Sequence, residues 1–363
     1  MSIGTLEEAI LGSLIGTAAG DALGLPFEGI SPKRIRKMVP GNLEHRFLFG
    51  RGMISDDTEH AFITACSIAE HPNDAGSFTR AMGWRLRWWI AMLPAGVGLA
   101  TLKACLKLWI GFPARKSGIR SAGNGPAMRA SIIGVFFRDQ PEKIKEYVSL
   151  STRLTHTDPK ALIGSLAIAT AAAYSSQHGP DEEFDINGFL DSISFAEFAD
   201  PDWQQLHAHI RKGLQSGSSV REFSCSLGLS NGVTGYIYHT VPVVLFAWLV
   251  HGKDFARMIT ELVLLGGDTD TTAAIAGGIA GAGLGEEGIP VRWRDSVTDW
   301  PINIPLLRRL AAHMTGQSST RRFNALPYRM PFIFCRNLFF FVIVLLHAAR
   351  RLFPPYADRG FTP

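Results

Sequence analysis

The 363-residue sequence has few cysteines, and the four it has stand apart from one another. Cys66, Cys105, Cys225 and Cys335 show no C-x-x-C spacing, which argues against both a zinc site and a disulfide framework. Scattered thiols are typical of a reducing compartment, so we expect a cytoplasmic protein. The N-terminus has no basic segment followed by an apolar run, so no secretory signal is predicted.

Strand patterns are also missing, and no internal repeat is found. No segment alternates apolar and polar residues convincingly, whereas helical spacing is widespread. Leu6, Ile10, Leu14 and Ala18, for example, share one face of a helix predicted from Leu6 to Leu23. The sequence therefore predicts an all-α fold, with loops expected over residues 31–52 and 175–187.

Positive charge is concentrated in the C-terminal tail. Residues 321–363 contain seven Arg and one Asp, a net +6, so the rest of the chain sums to −2. The basic pI of about 8.9 therefore reflects the tail and does not indicate that residues 1–320 bind nucleic acid. No nucleic-acid partner is expected. We expect one domain over residues 1–320 and a tail over residues 321–363 with one helix.

The tail contains a run of nine apolar residues, Leu338–Leu346, between arginines. A helix that spans a membrane needs roughly 20 such residues, so the run is too short to span. Two interpretations remain. Residues 331–353 form a basic, apolar helix that makes peripheral contact with a membrane, or the helix covers an apolar groove on the core or on a partner subunit.

Two pairs of acids stand at predicted helix starts, about 210 residues apart. Gly266-Gly-Asp-Thr-Asp-Thr271 precedes a small-residue helix that runs to about Leu284, and Ser55-Asp-Asp-Thr58 precedes a helix from about Asp57. Each pair is also explained by helix capping, with Glu59 completing a capping box in the second segment.

If the two pairs converge, four carboxylates crowd together, and hard divalent cations would relieve their repulsion. Oxygen-only ligands favour Mg²⁺ or Mn²⁺ over zinc, and the hydroxyls of Ser55 and Thr271 add to the ligand set. Two ions bridged by a shared carboxylate fit that number of ligands. The four acids are Asp56, Asp57, Asp268 and Asp270.

Further polar residues lie in loops beside predicted helices. Residues 118–131 place a Gly/Asn turn before a helix, where free backbone N–H groups can hold a phosphate, although an ordinary helix-start loop is the more common explanation of such a turn. His156 lies just outside a helix opened by Asp158 and Pro159. Glu28 follows Pro26 and is expected on a loop.

Taken together, five segments resemble the ADP-ribosylglycohydrolases, the family of dinitrogenase-reductase-activating glycohydrolase and the ADP-ribosyl-acceptor hydrolases. They occur in the family's order, and the resemblance covers residues 5 to about 285. The segments are Gly16-Thr-Ala-Ala-Gly-Asp-Ala-Leu-Gly24, Ser55-Asp-Asp-Thr58, Gly123-Asn-Gly-Pro-Ala-Met-Arg129, Thr155-His-Thr-Asp-Pro159 and Gly266-Gly-Asp-Thr-Asp-Thr271.

The resemblance implies a compact multi-helix orthogonal bundle with a binuclear metal cleft holding two Mg²⁺ or Mn²⁺ ions. It implies that Asp57 or Glu28 is the catalytic base. The implied metal ligands are Ser55, Asp56, Asp57, Asp268, Asp270 and Thr271. The implied substrate-binding residues are Ser121, Gly123, Asn124, Gly125, His156 and Gly267.

The implied reaction is hydrolysis of the N- or O-glycosidic bond between ADP-ribose and an acceptor, usually a protein side chain. The implied partner is then an ADP-ribosylated protein or an ADP-ribose-containing small molecule. Two alternatives are a catalytically silent member that binds ADP-ribose or a nucleotide, and a hydrolase of another ribosyl compound. The sequence departs from the family pattern at Ser55, where threonine is usual, and at His239, where an acid is common.

Overall fold

The computed structural model describes residues 4–47, 49–179, 185–316, 323 and 330–351. Within these ranges the chain is helical and has isolated β-bridges but no β-strand, which confirms the all-α class. The helices, in chain order, are α1 (Leu6–Gly24), α2 (Pro32–Met38), α3 (Asp56–Glu70), α4 (Ala75–Ala91), α5 (Leu99–Trp109), α6 (Ala130–Phe136), α7 (Pro141–Thr155), α8 (Pro159–Gln177), α9 (Ile186–Ser192), α10 (Pro201–Gln215), α11 (Val220–Ser226), α12 (Ile237–His251), α13 (Phe255–Leu265), α14 (Thr269–Leu284), α15 (Val291–Asp295), α16 (Ile304–Met314) and α17 (Met330–Arg351).

Helices α1 and α14 form the most extensive helix pair and lie at the centre of the fold. They run antiparallel, with Gly12, Gly16 and Gly20 of α1 facing the backbone of α14. A Cβ atom built on Gly16 would lie 2.1 Å from the carbonyl oxygen of Gly277, so only glycine fits there. The close contact brings the end of α1 beside the start of α14.

The other core helices surround this pair. Helix α8 is lined by small residues from Ala161 to Ala173 and packs against α6, α12 and α14. Its start confirms the predicted cap, because the Asp158 carboxylate accepts a hydrogen bond from the Lys160 backbone N–H at 3.0 Å. Helix α3 packs against α1 and α4, which places its first turn near the junction of α1 and α14.

Two of the predicted loops are partly helical. The segment 31–52 contains α2, which buries Ile35 and Met38, one turn apart, under an otherwise basic surface. So short an apolar repeat gives little periodic signal. In the segment 175–187, α8 continues to Gln177 and α9 begins at Ile186, while residues 180–184 lie outside the described residues.

The tail helix α17 packs on the core through one face, as the second interpretation of the tail expected. Ile333, Arg336, Asn337 and Phe340 are buried, with Arg336 2% exposed. The opposite face is exposed and apolar, and membrane contact through residues 331–353 stays a prediction. The exposed residues of that face include Phe332, Phe334, Leu338, Phe339, Phe341, Val342, Leu345 and Leu346.

Within the described part of the chain, two helical segments are long and apolar enough to cross a membrane by length and composition alone, Leu6–Phe27 and Pro331–Ala349. The segment Pro331–Ala349 corrects the expectation that the apolar run of the tail is too short to span a membrane. Both the helix and its apolar character extend beyond the nine residues Leu338–Leu346. Length and composition are weak grounds, since Leu6–Phe27 meets the same test and is 94% buried in the core.

The contact of α1 with α14 generates a prediction. We expect Gly16→Ala to lower the free energy of unfolding by about 1–3 kcal/mol or more, because the new methyl group meets backbone that cannot move aside cheaply. Urea unfolding followed by circular dichroism measures this. Gly41→Ala is the control, since a Cβ atom there meets nothing within 4 Å. Equal stability of the two variants would contradict the interpretation.

Candidate active site

The Gly266-Gly267 turn is fixed by backbone pairing on both sides. The Gly267 amide donates to the Ile30 carbonyl, the Val233 amide donates to the Gly266 carbonyl, and the Asp268 amide donates to the Val233 carbonyl at 2.7 Å. Both glycines have positive φ, 72° and 83°, and a Cβ atom on Gly267 would lie 2.0 Å from the Val233 oxygen. The turn therefore requires glycine and brings the loop that carries Glu28 close to the start of α14.

The first turns of α3 and α14 meet at the carboxylate of Asp57. Its Oδ2 atom accepts hydrogen bonds from the hydroxyl of Ser55 and from the hydroxyl of Thr271, each at 3.2 Å. Asp57 is 1% exposed, and its Oδ1 atom is buried without a hydrogen-bond partner among the described residues. The two acidic segments that the sequence paired are thus in direct contact.

Asp268 occupies the N-cap position of α14, but its side chain does not cap the helix. Its Oδ2 atom instead accepts a hydrogen bond from the Asn124 amide at 2.7 Å, and the same amide donates to Thr240 at 3.0 Å. The interpretation that the Asp268 side chain caps α14 is therefore wrong. Asp268 links α14 to the Gly/Asn turn before α6.

The capping box proposed for Glu59 is also wrong. Ser55 caps α3 by accepting from the Asp57 amide at 3.2 Å, so the third helical residue is Thr58. The Glu59 carboxylate instead accepts from the Trp89 indole at 2.5 Å and pairs with Arg336 of α17 at 3.5 Å. Glu59 therefore links α3 to Trp89 of α4 and to Arg336 of α17.

Asp21 is an acid of this cluster that the sequence interpretation did not assign. It is fully buried in α1, and its Oδ2 atom accepts from the backbone N–H groups of Ser55 and Thr58 and from the Thr58 hydroxyl. It therefore holds the first turn of α3 against α1. The available signal was a single carboxylate after the first turn of an otherwise small and apolar helix.

Burial and mutual repulsion raise the pKa values of these acids. Burial, followed by repulsion from neighbouring carboxylates, raises the pKa of Asp56, Asp57 and Asp270 well above the ordinary range. Burial also raises the pKa of Asp21 to about 6. Without a counter-charge, the ionised cluster is unfavourable, and protons or cations would relieve it.

The chemistry of the cluster fits a divalent cation. Among the described residues, no three His, Cys, Asp or Glu side chains are grouped closely enough to hold an ion by themselves. Mg²⁺ commonly uses one or two carboxylates and completes its shell with hydroxyls and waters, so this arrangement suits it. The unpartnered Oδ1 atom of Asp57 is an acceptor of the right kind.

A cleft of about 560 Å³ lies beside the acids. It brings together all of the sequence-predicted site residues except Ser55 and Asp57, and none of its described lining residues is Lys or Arg. The charge of a bound diphosphate would therefore fall to backbone N–H groups and cations. The predicted residues in the lining are Glu28, Ser121, Gly123, Asn124, Gly125, His156, Gly267, Asp56, Asp268, Asp270 and Thr271.

Several backbone N–H groups of the cleft are already engaged. The Gly267 amide is taken by Ile30, the Asn124 amide donates to Gly235 at 2.9 Å, and the Gly123 amide donates to the Ser121 hydroxyl at 3.3 Å. These three donors are engaged within the protein, and the expectation that the turn before α6 holds a phosphate stays a prediction. The residues themselves remain in the cleft wall.

His156 is buried in the cleft wall. Arg129, which like Asp21 was not assigned a role from the sequence, helps to hold it in place. The His156 ring contacts the Thr155 hydroxyl at 2.9 Å, and that oxygen accepts from Arg129 at 2.7 Å. Burial, and then the nearby guanidinium, lower the pKa of His156 to about 3. A Cβ atom on Gly123 would lie 3.0 Å from the ring, so glycine leaves room for the neutral imidazole.

His239 does not line the cleft, although it contacts a residue that does. Its Nδ1 atom lies 2.8 Å from the hydroxyl of Thr234. The departure from the family pattern at this position therefore lies beside the cleft.

Comparison with known proteins agrees with this geometry. A sequence model of ADP-ribosylglycohydrolase matches residues 3–322. The chain belongs to the ADP-ribosylglycohydrolase family. The resemblance stated from the motifs is thereby confirmed, and the protein is a hydrolase of the glycosylase type that acts on ADP-ribose-containing substrates.

The individual relatives share about a quarter to a third of their residues with this chain. An uncharacterized protein of Archaeoglobus fulgidus is 30% identical, covering 81% of this chain and 93% of that protein. ADP-ribosylhydrolase ARH3 of Gallus gallus is 27% identical, covering 78% and 88%. ADP-ribosyl-[dinitrogen reductase] glycohydrolase of Rhodospirillum rubrum is 25% identical, covering 80% and 90%.

A solved structure, an ADP-ribosylglycohydrolase-related protein complex, has the same fold. It superposes with a TM-score of 0.60 at 25% identity and covers 85% of this chain and 97% of its own. Helix α17 lies beyond the residues that the family model matches.

The state of His156 generates a prediction about pH. Because its pKa is about 3 in the fold and about 6.5 when unfolded, the unfolded chain binds one more proton between these values. The stability from the neutral ring is present above pH 6.5 and is lost as pH falls. Between pH 7.5 and 5 the free energy of unfolding should fall in the wild type by roughly 2 kcal/mol more than it falls in His156→Gln. An identical pH dependence in the variant and the wild type would contradict this.

Proposed function

We propose that the enzyme reverses ADP-ribosylation in the cytoplasm by hydrolysing the bond between C1″ of ADP-ribose and a protein side chain, with the help of two divalent cations. The contact between the first turns of α3 and α14 at Asp57 is the observation that supports this most. It gathers acids with raised pKa values beside a cleft large enough for a nucleotide-sized ligand.

The residues proposed to hold Mg²⁺ or Mn²⁺ come from both helices. When bound, such ions would grip the ribose hydroxyls and lower the pKa of a water. Asp270 borders the cleft and would help to hold the ions from the α14 side. The full proposed set is Ser55, Asp56 and Asp57 from α3 with Asp268, Asp270 and Thr271 from α14.

The chain's own carboxylates would stabilise the transition state. Cleavage at C1″ develops positive charge on the sugar ring, and fixed negative groups favour that charge in a partly dehydrated site. Asp56 is half-buried and Glu28 is exposed, and both border the cleft. The neutral ring of His156 and the hydroxyl of Ser121 offer contacts to the rest of the ligand.

Of the two candidate bases, the surroundings favour Glu28. Asp57 is almost fully buried and already accepts two hydroxyl hydrogen bonds, which suits a structural or ligating role. Glu28 lies on an exposed loop at the cleft and has access to solvent, so it can pass on a proton taken from an attacking water. We therefore propose Glu28 as the base and Asp57 as a ligand.

The direct test of turnover measures free ADP-ribose released from ADP-ribosylated arginine and serine peptides. We expect Asp268→Asn to lower the rate by roughly 10²–10³-fold or more, because it removes a charge from the cluster. Asp139→Asn is the control, since that carboxylate is largely exposed and lies outside the motifs and the lining of the cleft. EDTA should abolish release by the wild type, and Mg²⁺ or Mn²⁺ should restore it.

Other outcomes of this experiment are equally informative. Full activity of Asp268→Asn, or of the wild type in EDTA, would rule out the proposed mechanism. Tight ADP-ribose binding by calorimetry without turnover of any substrate would favour a silent, binding member of the family. Glu28→Gln should lose rate while retaining ADP-ribose binding, and normal turnover would remove it as the base.

Thermal unfolding provides a test that does not depend on activity. A cation present at about 100 times its dissociation constant adds about 2.7 kcal/mol to the free energy of unfolding, so Mg²⁺ or Mn²⁺ should raise the melting temperature. Asp57→Asn should lose most of that rise, because its carboxylate joins the two segments. A rise of the same size in wild type and variant would place the cation elsewhere.

A further inference from the structure

Helix α17 contacts the segment of the backbone that leads into α3. The Arg336 guanidinium donates to both carboxylate oxygens of Asp299, at 2.9 and 2.5 Å, and to the carbonyl oxygen of Ile54 at 2.5 Å. Asp299 in turn accepts from the Ile54 amide at 3.0 Å. Ile54 immediately precedes Ser55, so the tail helix is anchored to the backbone that leads into the acid cluster.

The anchor is buried and specific. The side chains of Arg336 and Asp299 are 2% and 1% exposed, and Glu59 completes the pairing. The next residue, Asn337, donates to the carbonyl of Met92 at 2.8 Å. A buried guanidinium needs such partners, so this face of α17 has one defined position on the core.

One turn farther along, α17 forms part of the wall of a second cavity. This cavity is narrow, about 120 Å³, and its walls are mainly apolar. Phe340 is 2% exposed there and packs edge-on against Phe47, with ring centroids 6.4 Å apart. The residues of α17 that line it are Phe340, Val344, His347 and Ala348.

The narrow cavity and the main cleft adjoin at the acid cluster. Glu28, Asp56, Gly96 and Asp270 border both of them. The predicted ADP-ribose residues of the Gly/Asn turn and His156 all lie in the main cleft. A ligand that fills the main cleft and presents its C1″ atom to the acids would direct the group on C1″ toward the narrow cavity.

We propose that the narrow cavity is the acceptor subsite and that α17 limits the acceptor to a short, compact group. The proposal rests on the function proposed above and adds a specificity-determining role for Phe340 and Val344, which lie outside the family match. The substrate class is an ADP-ribose whose acceptor, such as a short side chain of a protein, places only a small, compact group next to C1″. Hydrolysis adds water across that bond, giving ADP-ribose and the protonated acceptor.

The experiment compares two synthetic substrates, ADP-ribose with a methoxy or a benzyloxy group at C1″. The wild type should prefer the methoxy compound. Phe340→Ala should raise kcat/KM for the benzyloxy compound relative to the methoxy compound by about tenfold or more, because removing the ring enlarges the cavity. The dissociation constant of ADP-ribose itself should stay unchanged, since it occupies the main cleft.

Two further variants keep the test decisive. Phe341→Ala is the matched control, because this neighbouring ring is 53% exposed on the outer face of α17. Val344→Ala enlarges the same cavity without touching the Arg336 anchor, and it replaces Phe340→Ala if that variant unfolds. A shift in preference with Phe340→Ala or Val344→Ala but not with Phe341→Ala supports the proposal.

The contrary outcomes are distinct from a failure of the proposed function. If both substrates are cleaved with the wild-type preference in Phe340→Ala and Val344→Ala, the acceptor does not enter this cavity. Equal acceleration of both substrates would mean that α17 only restricts access, which also overturns the size selection. If the wild type releases ADP-ribose from neither compound nor from any modified peptide, it is the hydrolase proposal that fails.

Discussion

The close contact between α1 and α14 is the constraint on which the rest of the site depends. Glycines on both helices let the backbones touch, since a Cβ atom on Gly16 would meet the Gly277 carbonyl at 2.1 Å. Because the helices are antiparallel, the end of α1 lies beside the start of α14. Asp21 from α1 then holds the first turn of α3, and the loop that carries Glu28 pairs with the Gly266-Gly267 turn. Three distant parts of the sequence are thereby placed at one point.

That arrangement concentrates negative charge where water is largely excluded. Burial and mutual repulsion raise the pKa values of Asp56, Asp57 and Asp270, and few neighbouring groups offset them. One nearby buried cation, Arg336, is committed to Asp299 and Glu59. A cluster built in this way favours binding a cation or stabilising a cationic transition state, and both suit hydrolysis at C1″. The tail helix that supplies Arg336 also forms a wall of the narrow cavity.

Much of the fold could be predicted from the sequence, because long helices carry a strong apolar repeat and Gly-Gly before acids constrains the backbone. The end of α14 at Leu284 agrees with the sequence prediction, as does the cap of α8 at Asp158. The role of Asp268 could not be predicted, since its partner Asn124 is 144 residues away and a local capping motif explains the acid equally well. Asp21, Arg129 and Phe340 were missed for the same reason. Their roles depend on contacts between distant helices, which periodicity does not reveal.

The most direct test of the central claim is a crystal structure of the enzyme grown with Mn²⁺ and ADP-ribose, with anomalous diffraction used to locate the metal. We expect two anomalous peaks between α3 and α14, in contact with the carboxylates of Asp57 and Asp270. We also expect ADP-ribose in the main cleft, with C1″ facing the narrow cavity beneath Phe340. Anomalous peaks away from these carboxylates, or ADP-ribose bound outside the main cleft, would contradict that claim.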